Sequence, residues 1–314
     1  MILNNSPDPR PLSVLLGDLE NAIHQTDLEA SRDGNSLVVR DRNLITRIDL
    51  VPPAKRECDH AAIKAAVQIK TELPKEIIGA FLTDLGLVER FNAMATLGSL
   101  TVEKDACFIG SRLTVYEQEN ASKLHFRILL FSTILAGDSF LGAIRRVFFN
   151  EEPLTGPSAW TKQDLDLVES YLSKICVCST GGLRLTAEFS LRRGKGSAVF
   201  GDRHTAVWRI LADQPHPALG GGLLCLLELP HRIVNESRID PILNQLNQKE
   251  MVPEDLPPHF GAWCRGNLEN NPAYVAFFPN VMRFIGGIAI NASIWALHRA
   301  AWADTALASF GVNP

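Results

Sequence analysis

One succession of elements is written twice along this chain, and that repetition constrains the fold more than any single motif, because a missed repeat misplaces everything after it. Leu12, Leu15, Leu16, Leu19 and Ile23 fall on one helical stripe, and Leu165, Val168, Leu172 and Ile175 fall on another. The second stripe has a marked start. Thr161 can cap it with Asp164 three residues on, while Trp160 and Leu165 stand where a hydrophobic staple would. Strand-like sequence follows each stripe: Leu28 to Arg40, with Asp33-Gly34 as a hairpin turn, then Leu44, Ile45 and Ile48. In the second half Leu183, Leu185, Ala187 and Phe189 alternate with polar residues, and Gly194-Lys195-Gly196 leads into Ser197 to Phe200 and Thr205 to Leu211.

Both halves then carry Glu-Leu-Pro, at Glu72 to Pro74 and at Glu228 to Pro230. Helices are expected over Lys75 to Met94 and Ile239 to Glu250. Strand pairs are expected at Cys107 to Tyr116 with Leu124 to Ile134, and at Phe260 to Leu268 with Ala273 to Met282. Closing helices carry Phe140, Leu141, Ile144, Val147 and Phe148, and then Ile290, Ile294, Leu297 and Ala301. The interval from Arg112 to Arg146 equals that from Arg265 to Arg299, which sets Arg112 against Arg265 and Glu72 against Glu228. Ala61 to Val67 has helix propensity, whereas its counterpart Gly220 to Leu227 reads as a strand. Pro153, Gly156 and Pro157 interrupt the pattern, dividing the chain into repeats 1–150 and 151–314. The expected class is α+β: two tandem α-β-β-β-α-β-β-α units with antiparallel sheets, related by a pseudo-twofold.

The order of helix, three strands, helix, two strands and helix resembles the small fold of the type III secretion chaperones and the related YbjN-like proteins. It is carried by Leu12 to Ile23, Asp33-Gly34, Arg112 to Ile134 and Asp138 to Phe149, and by Leu165 to Ile175, Leu183 to Phe189, Trp263 to Met282 and Gly287 to Ala303. The resemblance implies a binding fold without a catalytic site, holding partner polypeptides. Two fused copies would form a pseudo-dimer within one chain.

Charge excludes some functions. Lys plus Arg number 31 against 35 Asp plus Glu, a net charge of -4, which is not a nucleic-acid footprint. Phe284 to Leu297 is too short to span a membrane and reads as a buried helix. The opening residues lack the form of a secretory signal, so a cytoplasmic location with six reduced cysteines is expected. Cys176-Val177-Cys178 has no second ligand pair at zinc spacing, and no metal or other cofactor is expected. Gly220-Gly221-Gly222 runs into Leu223 and not into Lys-Ser/Thr, so it marks a tight entry into a strand instead of a phosphate loop.

Two functions follow as expectations. The first is non-enzymatic binding of a protein or peptide, with Glu228, His231, Trp263, Arg265 and Tyr274 as contact residues, since Trp, Tyr and Arg anchor many interfaces. The second is an enzyme with a site between the repeats near His216, His231, Cys264 and Arg265. There Cys264 could act as nucleophile with His231 or His259 as base. The aromatics Trp263, Tyr274, Phe277, Phe278 and Phe284 are expected mainly to fill the core.

Overall fold

Period-two apolar patterns build two antiparallel sheets of identical plan. The computed structural model describes residues 12–25, 28–41, 44–51, 63–73, 75–94, 96–104, 106–116, 142, 151–191, 204–252, 257–267 and 270–312. The first sheet holds β1 (Glu29–Asp33), β2 (Ser36–Asp41), β3 (Leu44–Val51), β4 (Ile63–Glu72), β5 (Ser99–Glu103) and β6 (Ala106–Tyr116), in spatial order β1-β2-β3-β4-β6-β5. The second holds β7 (Val177–Gly181), β8 (Arg184–Leu191), β9 (His204–Leu211), β10 (Gly222–Glu228), β11 (Ala262–Arg265) and β12 (Pro272–Pro279), in order β7-β8-β9-β10-β12-β11. The α+β class and the duplication therefore stand. Each unit has four strands before its middle helix, one more than expected: β4 begins where helix propensity was read, and β7 precedes the alternation that starts at Leu183.

The helices are α1 (Leu12–Ile23), α2 (Lys75–Thr83), α3 (Leu85–Asn92), α4 (Lys162–Leu172), α5 (Ile239–Met251) and α6 (Ile288–Ser309). Leu16, Leu19 and Ile23 bury the stripe of α1; Leu165, Val168 and Leu172 bury that of α4. Thr161 forms the expected capping box with Asp164. Asp84 accepts from Leu87 N as the cap of α3, and so divides the single expected helix 75–94 in two. On α6 the buried face is mostly alanine (Ala289, Ala292, Ala296, Ala300, Ala303), which lets it lie close on β8, β9 and β10 beside α4. Trp208 donates to Ser293 across that contact at 3.0 Å.

Several expectations are corrected. The first turn is Gly34-Asn35, one residue later than read, because Asp33 still pairs with Ser36; only Gly34 of the turn has positive φ, at 61°. Ile63 to Val67 is strand: pairing with β6, joined by β3 from Ala66 onward, outweighs the helix propensity of its alanines. The partner of β6 is β5, which precedes it. The stretches 124–134, 138–141, 143–149 and 194–200, together with Cys58 and Arg146, lie outside the described residues; Gly142 is helical.

Strand pairing fixes the true register between repeats. Glu72 lies opposite Phe108, and Glu228 opposite Ala273. Four residues further along each sixth strand, Arg112 therefore corresponds to Phe277, not to Arg265. Ser99 lies opposite Gly110 and Ala262 opposite Val275, so Ser99 corresponds to Ala262, and Val102 to Arg265. Equal arginine spacing misled here because insertions between elements are not shared. Glu72 and Glu228 do correspond, each ending a fourth strand.

With that register the contacts between repeats are reciprocal. Arg112 and His259 exchange two backbone hydrogen bonds, at 3.1 and 2.7 Å. At the corresponding crossing Phe277 N donates to Thr96 O at 3.2 Å, Thr96 and His259 each standing three residues before a fifth strand. Within each repeat, Asn92 clamps both backbone groups of Leu100, and Asn247 clamps both of the corresponding Trp263. Three residues earlier on the same helices, Asn244 accepts from Val102 N and Glu89 accepts from Arg265 N. Each middle helix thus covers its own fifth strand at one residue and the other repeat's fifth strand two residues further on, at edges that would otherwise offer unpaired backbone groups. Residue i meets j′ and i′ meets j, the signature of a twofold interface.

Candidate functional site

The densest polar cluster sits at the crossing of Arg112 and His259. It begins with chain ends that need partners: the last carbonyls of a helix have no intrahelical donors. At the end of α5 these are satisfied by the first repeat, Arg112 Nε donating to Glu250 O at 2.6 Å and Gln68 to Met251 O at 2.6 Å. A second guanidinium nitrogen of Arg112 donates to Pro257 O at 2.9 Å. The placement also favours a cation at the negative end of the helix.

The Glu250 carboxylate is the centre of the cluster and is fully buried. Arg299 of α6 donates to both its oxygens at 2.8 to 3.1 Å, Trp263 Nε1 donates at 2.8 Å, and His259 Nδ1 lies 2.8 Å away. Burial alone would raise this carboxyl, but Arg299 and then His259 hold it well below the usual carboxylate range. Burial lowers His259, with Arg299 and Arg112 adding to the effect and Glu250 opposing it. A neutral His259 donates from Nδ1 to Glu250 and accepts at Nε2 from Ser99 Oγ, 2.8 Å away. The Arg299 guanidinium also stacks 3.9 Å from the centre of the Tyr274 ring, whose hydroxyl accepts from Phe260 N and is pushed up by burial.

Ser99, His259 and Glu250 have the hydrogen-bond polarity of a serine nucleophile, its base and the orienting acid. Their surroundings assign them another task. Ser99 and His259 are wholly buried, and Glu250 is already committed to Arg299 and Trp263. As they stand, these groups fasten Ser99 and Arg112 of one repeat to Glu250, His259 and Arg299 of the other.

The residues expected from sequence lie apart. His216 donates from Nε2 to Met94 O at 2.9 Å and stacks on Phe277 at the apolar crossing. His231 is buried with Nε2 3.0 Å from Asp304 of α6. Cys264 is buried among Ala273, Val275, Leu224 and Leu226, and burial pushes its thiol up, opposite to what a nucleophile needs. Arg265 pairs with Asp240 at 2.8 Å and is partly exposed. Their partners lie on different elements, Met94 for His216, Asp304 for His231 and Asp240 for Arg265. Glu228 is buried against Arg209, and Trp263 and Tyr274 are core residues in mutual edge contact, so of the five expected contact residues only Arg265 reaches the surface. Phe277 and Phe278 are buried as expected, whereas Phe284 is exposed.

The surface offers a different feature. A groove of about 460 Å³ is lined by Ile175, Cys176, Val177, Leu191 and Leu297, with Glu188, Ser190 and Thr205 at its polar side. Ile175 and Val177 of the lining are themselves exposed, Val177 by 72%, and Leu167 and Tyr171 of α4 are further exposed apolar residues. Among the described residues no group of acidic, histidine or cysteine side chains could hold a metal ion, and the described cysteines are free. No described helix is long and apolar enough to cross a membrane.

No protein-family model matches the chain, and no curated protein or solved structure is found similar to it. Sequence reasoning missed Ser99, Glu250 and the twin clamps Asn92 and Asn247, and used Arg299 only as a ruler. Each is a polar residue on an element with a polar face, so nothing in its spacing separates it from a solvated neighbour.

Proposed function

We propose that this protein is a non-catalytic protein- or peptide-binding scaffold, chaperone-like or adaptor-like, acting in the cytoplasm as a single chain that is its own dimer. The observation that carries the reading is the groove with its exposed apolar lining residues Ile175 and Val177. Apolar surface left exposed around a groove marks many protein-binding sites. The thiols that could have served chemistry support the same reading, since burial pushes Cys264, Cys225 and Cys178 up, the last to about 11. The reciprocal contacts between repeats support the pseudo-dimer, because each half already meets its twofold mate inside the chain.

The test is to pan the full-length protein against a displayed random peptide library, beside an Ile175→Asp/Val177→Asp variant of unchanged melting temperature. Enriched, mutually competing sequences that the variant fails to capture are expected. A library that enriches nothing on the wild type overturns the proposal.

A further inference from the structure

The groove has a cause in the strand lengths. β7 pairs with β8 only over Arg184 to Glu188, Val177 standing opposite Glu188. β8 runs on for Phe189, Ser190 and Leu191, which pair with β9 on one side and with nothing among the described residues on the other. Before Val177 the chain turns away through Cys176 and Ile175 to α4. The groove is therefore a notch in the sheet, one strand wide, where the track of β7 stops three residues short. The first repeat lacks it: β1 pairs with β2 from Ser36 to Arg40, leaving only Asp41 beyond.

We infer that this notch is a strand-addition site, filled by an extended peptide segment that continues the line of β7 along Phe189 to Leu191. Three observations fix the occupant's chemistry. The open side of β8 presents backbone groups, which an extended main chain satisfies and a helix does not. The walls at Ile175, Val177, Leu191 and Leu297 are apolar, suiting large aliphatic side chains at alternate positions. Glu188 is exposed at the head of the notch and makes no ion pair among the described residues, so a Lys or Arg of the segment is its complement. The inference rests on the binding function proposed above and gives it an address.

The probe is a fluorescein-labelled acetylated peptide alternating Val or Leu with Thr and carrying one terminal Lys, read by anisotropy on the full-length protein. Methylating its alternate backbone nitrogens is expected to weaken binding by about tenfold or more, the loss of one or two hydrogen bonds. Exchanging its Lys for Glu weakens binding to the wild type, and Glu188→Lys reverses that preference. Amide exchange should slow at residues 189–191 when the peptide is bound. Equal affinity of the methylated peptide, or protection confined to another face, overturns the inference while leaving a binding function in place. A mass that doubles with concentration and reverts in Val177→Asp also overturns it, the notch then being a contact between copies. If neither this probe nor the panned library binds, the notch and the broader proposal fall together.

Discussion

Two crossings join the repeats, and by strand register they are the same place twice. At one, Arg112 and His259 bring a buried carboxylate, two guanidinium groups and an imidazole into a single network. At the other, Phe277 and Thr96 occupy those positions, with the His216 ring against Phe277. Each crossing has a main-chain hydrogen bond from the sixth strand, while the side chains around it are opposite in kind. The difference teaches that the fold requires the reciprocal main-chain contact and does not require ions to make it. Two guanidinium groups beside one buried carboxylate are costly to desolvate, and such networks often add pairing specificity more than stability. Here an ionic contact at one crossing and a ring at the other would penalise any exchange of the two halves.

The largest expected effect comes from breaking the ionic crossing. Glu250→Gln removes the anion that pairs with Arg299 and His259 and should destabilise the protein by about 3–5 kcal/mol in urea titrations. An effect below about 1 kcal/mol would mean that the network is not the fastener of that crossing. Next come the twin clamps. Asn92→Ala and Asn247→Ala each leave the two buried backbone groups of an edge strand unpaired, a loss of about 1–3 kcal/mol apiece. Their equality is the sharper test, and a large inequality in denaturation midpoints would break the symmetry.

Acid should separate the crossings. The folded-state pKa of His259 is depressed, so below about pH 6.5 the unfolded chain binds a proton that the folded chain refuses. Stability then falls with falling pH, by up to about 1.4 kcal/mol per unit for this one proton. Glu250 is also depressed, so its contribution is complete above about pH 4.3 and is lost as pH falls further towards its folded value. Both slopes have the same sign. His259→Gln should flatten the decline between pH 7 and 5 in thermal melts, and an unchanged slope would assign it to other groups. The smallest effect is expected from Asn244→Ala, which uncovers Val102 N at a cost of about 0.5–1.5 kcal/mol.

What could be read in the sequence was punctuation and periodicity. The capping box at Thr161, the alternation from Leu185 to Phe189, and Glu-Leu-Pro closing each fourth strand all express local rules, and local rules survive duplication. The fifth strand of the first repeat was not legible: Ser-Leu-Thr-Val-Glu is short, and its identity depends on which neighbour Cys107 to Tyr116 chooses. Glu250 was not legible either. It ends a polar helical stretch, Asn-Gln-Lys-Glu, and becomes a buried anion only because Arg299 arrives from 49 residues away. The clamps show the same limit, Asn92 reaching 8 residues ahead and Asn247 reaching 16 to do one job.

The exchange of edge covers between the repeats has a consequence for synthesis. Val102 leaves the ribosome 142 residues before Asn244, the side chain that shields it. At about 5–20 residues per second the nascent first sheet waits roughly 7–30 s with Val102 uncovered on the β5 border, where Asn92 already holds Leu100. During that wait, a neighbouring nascent copy on the same message could dock there in place of the chain's own second half.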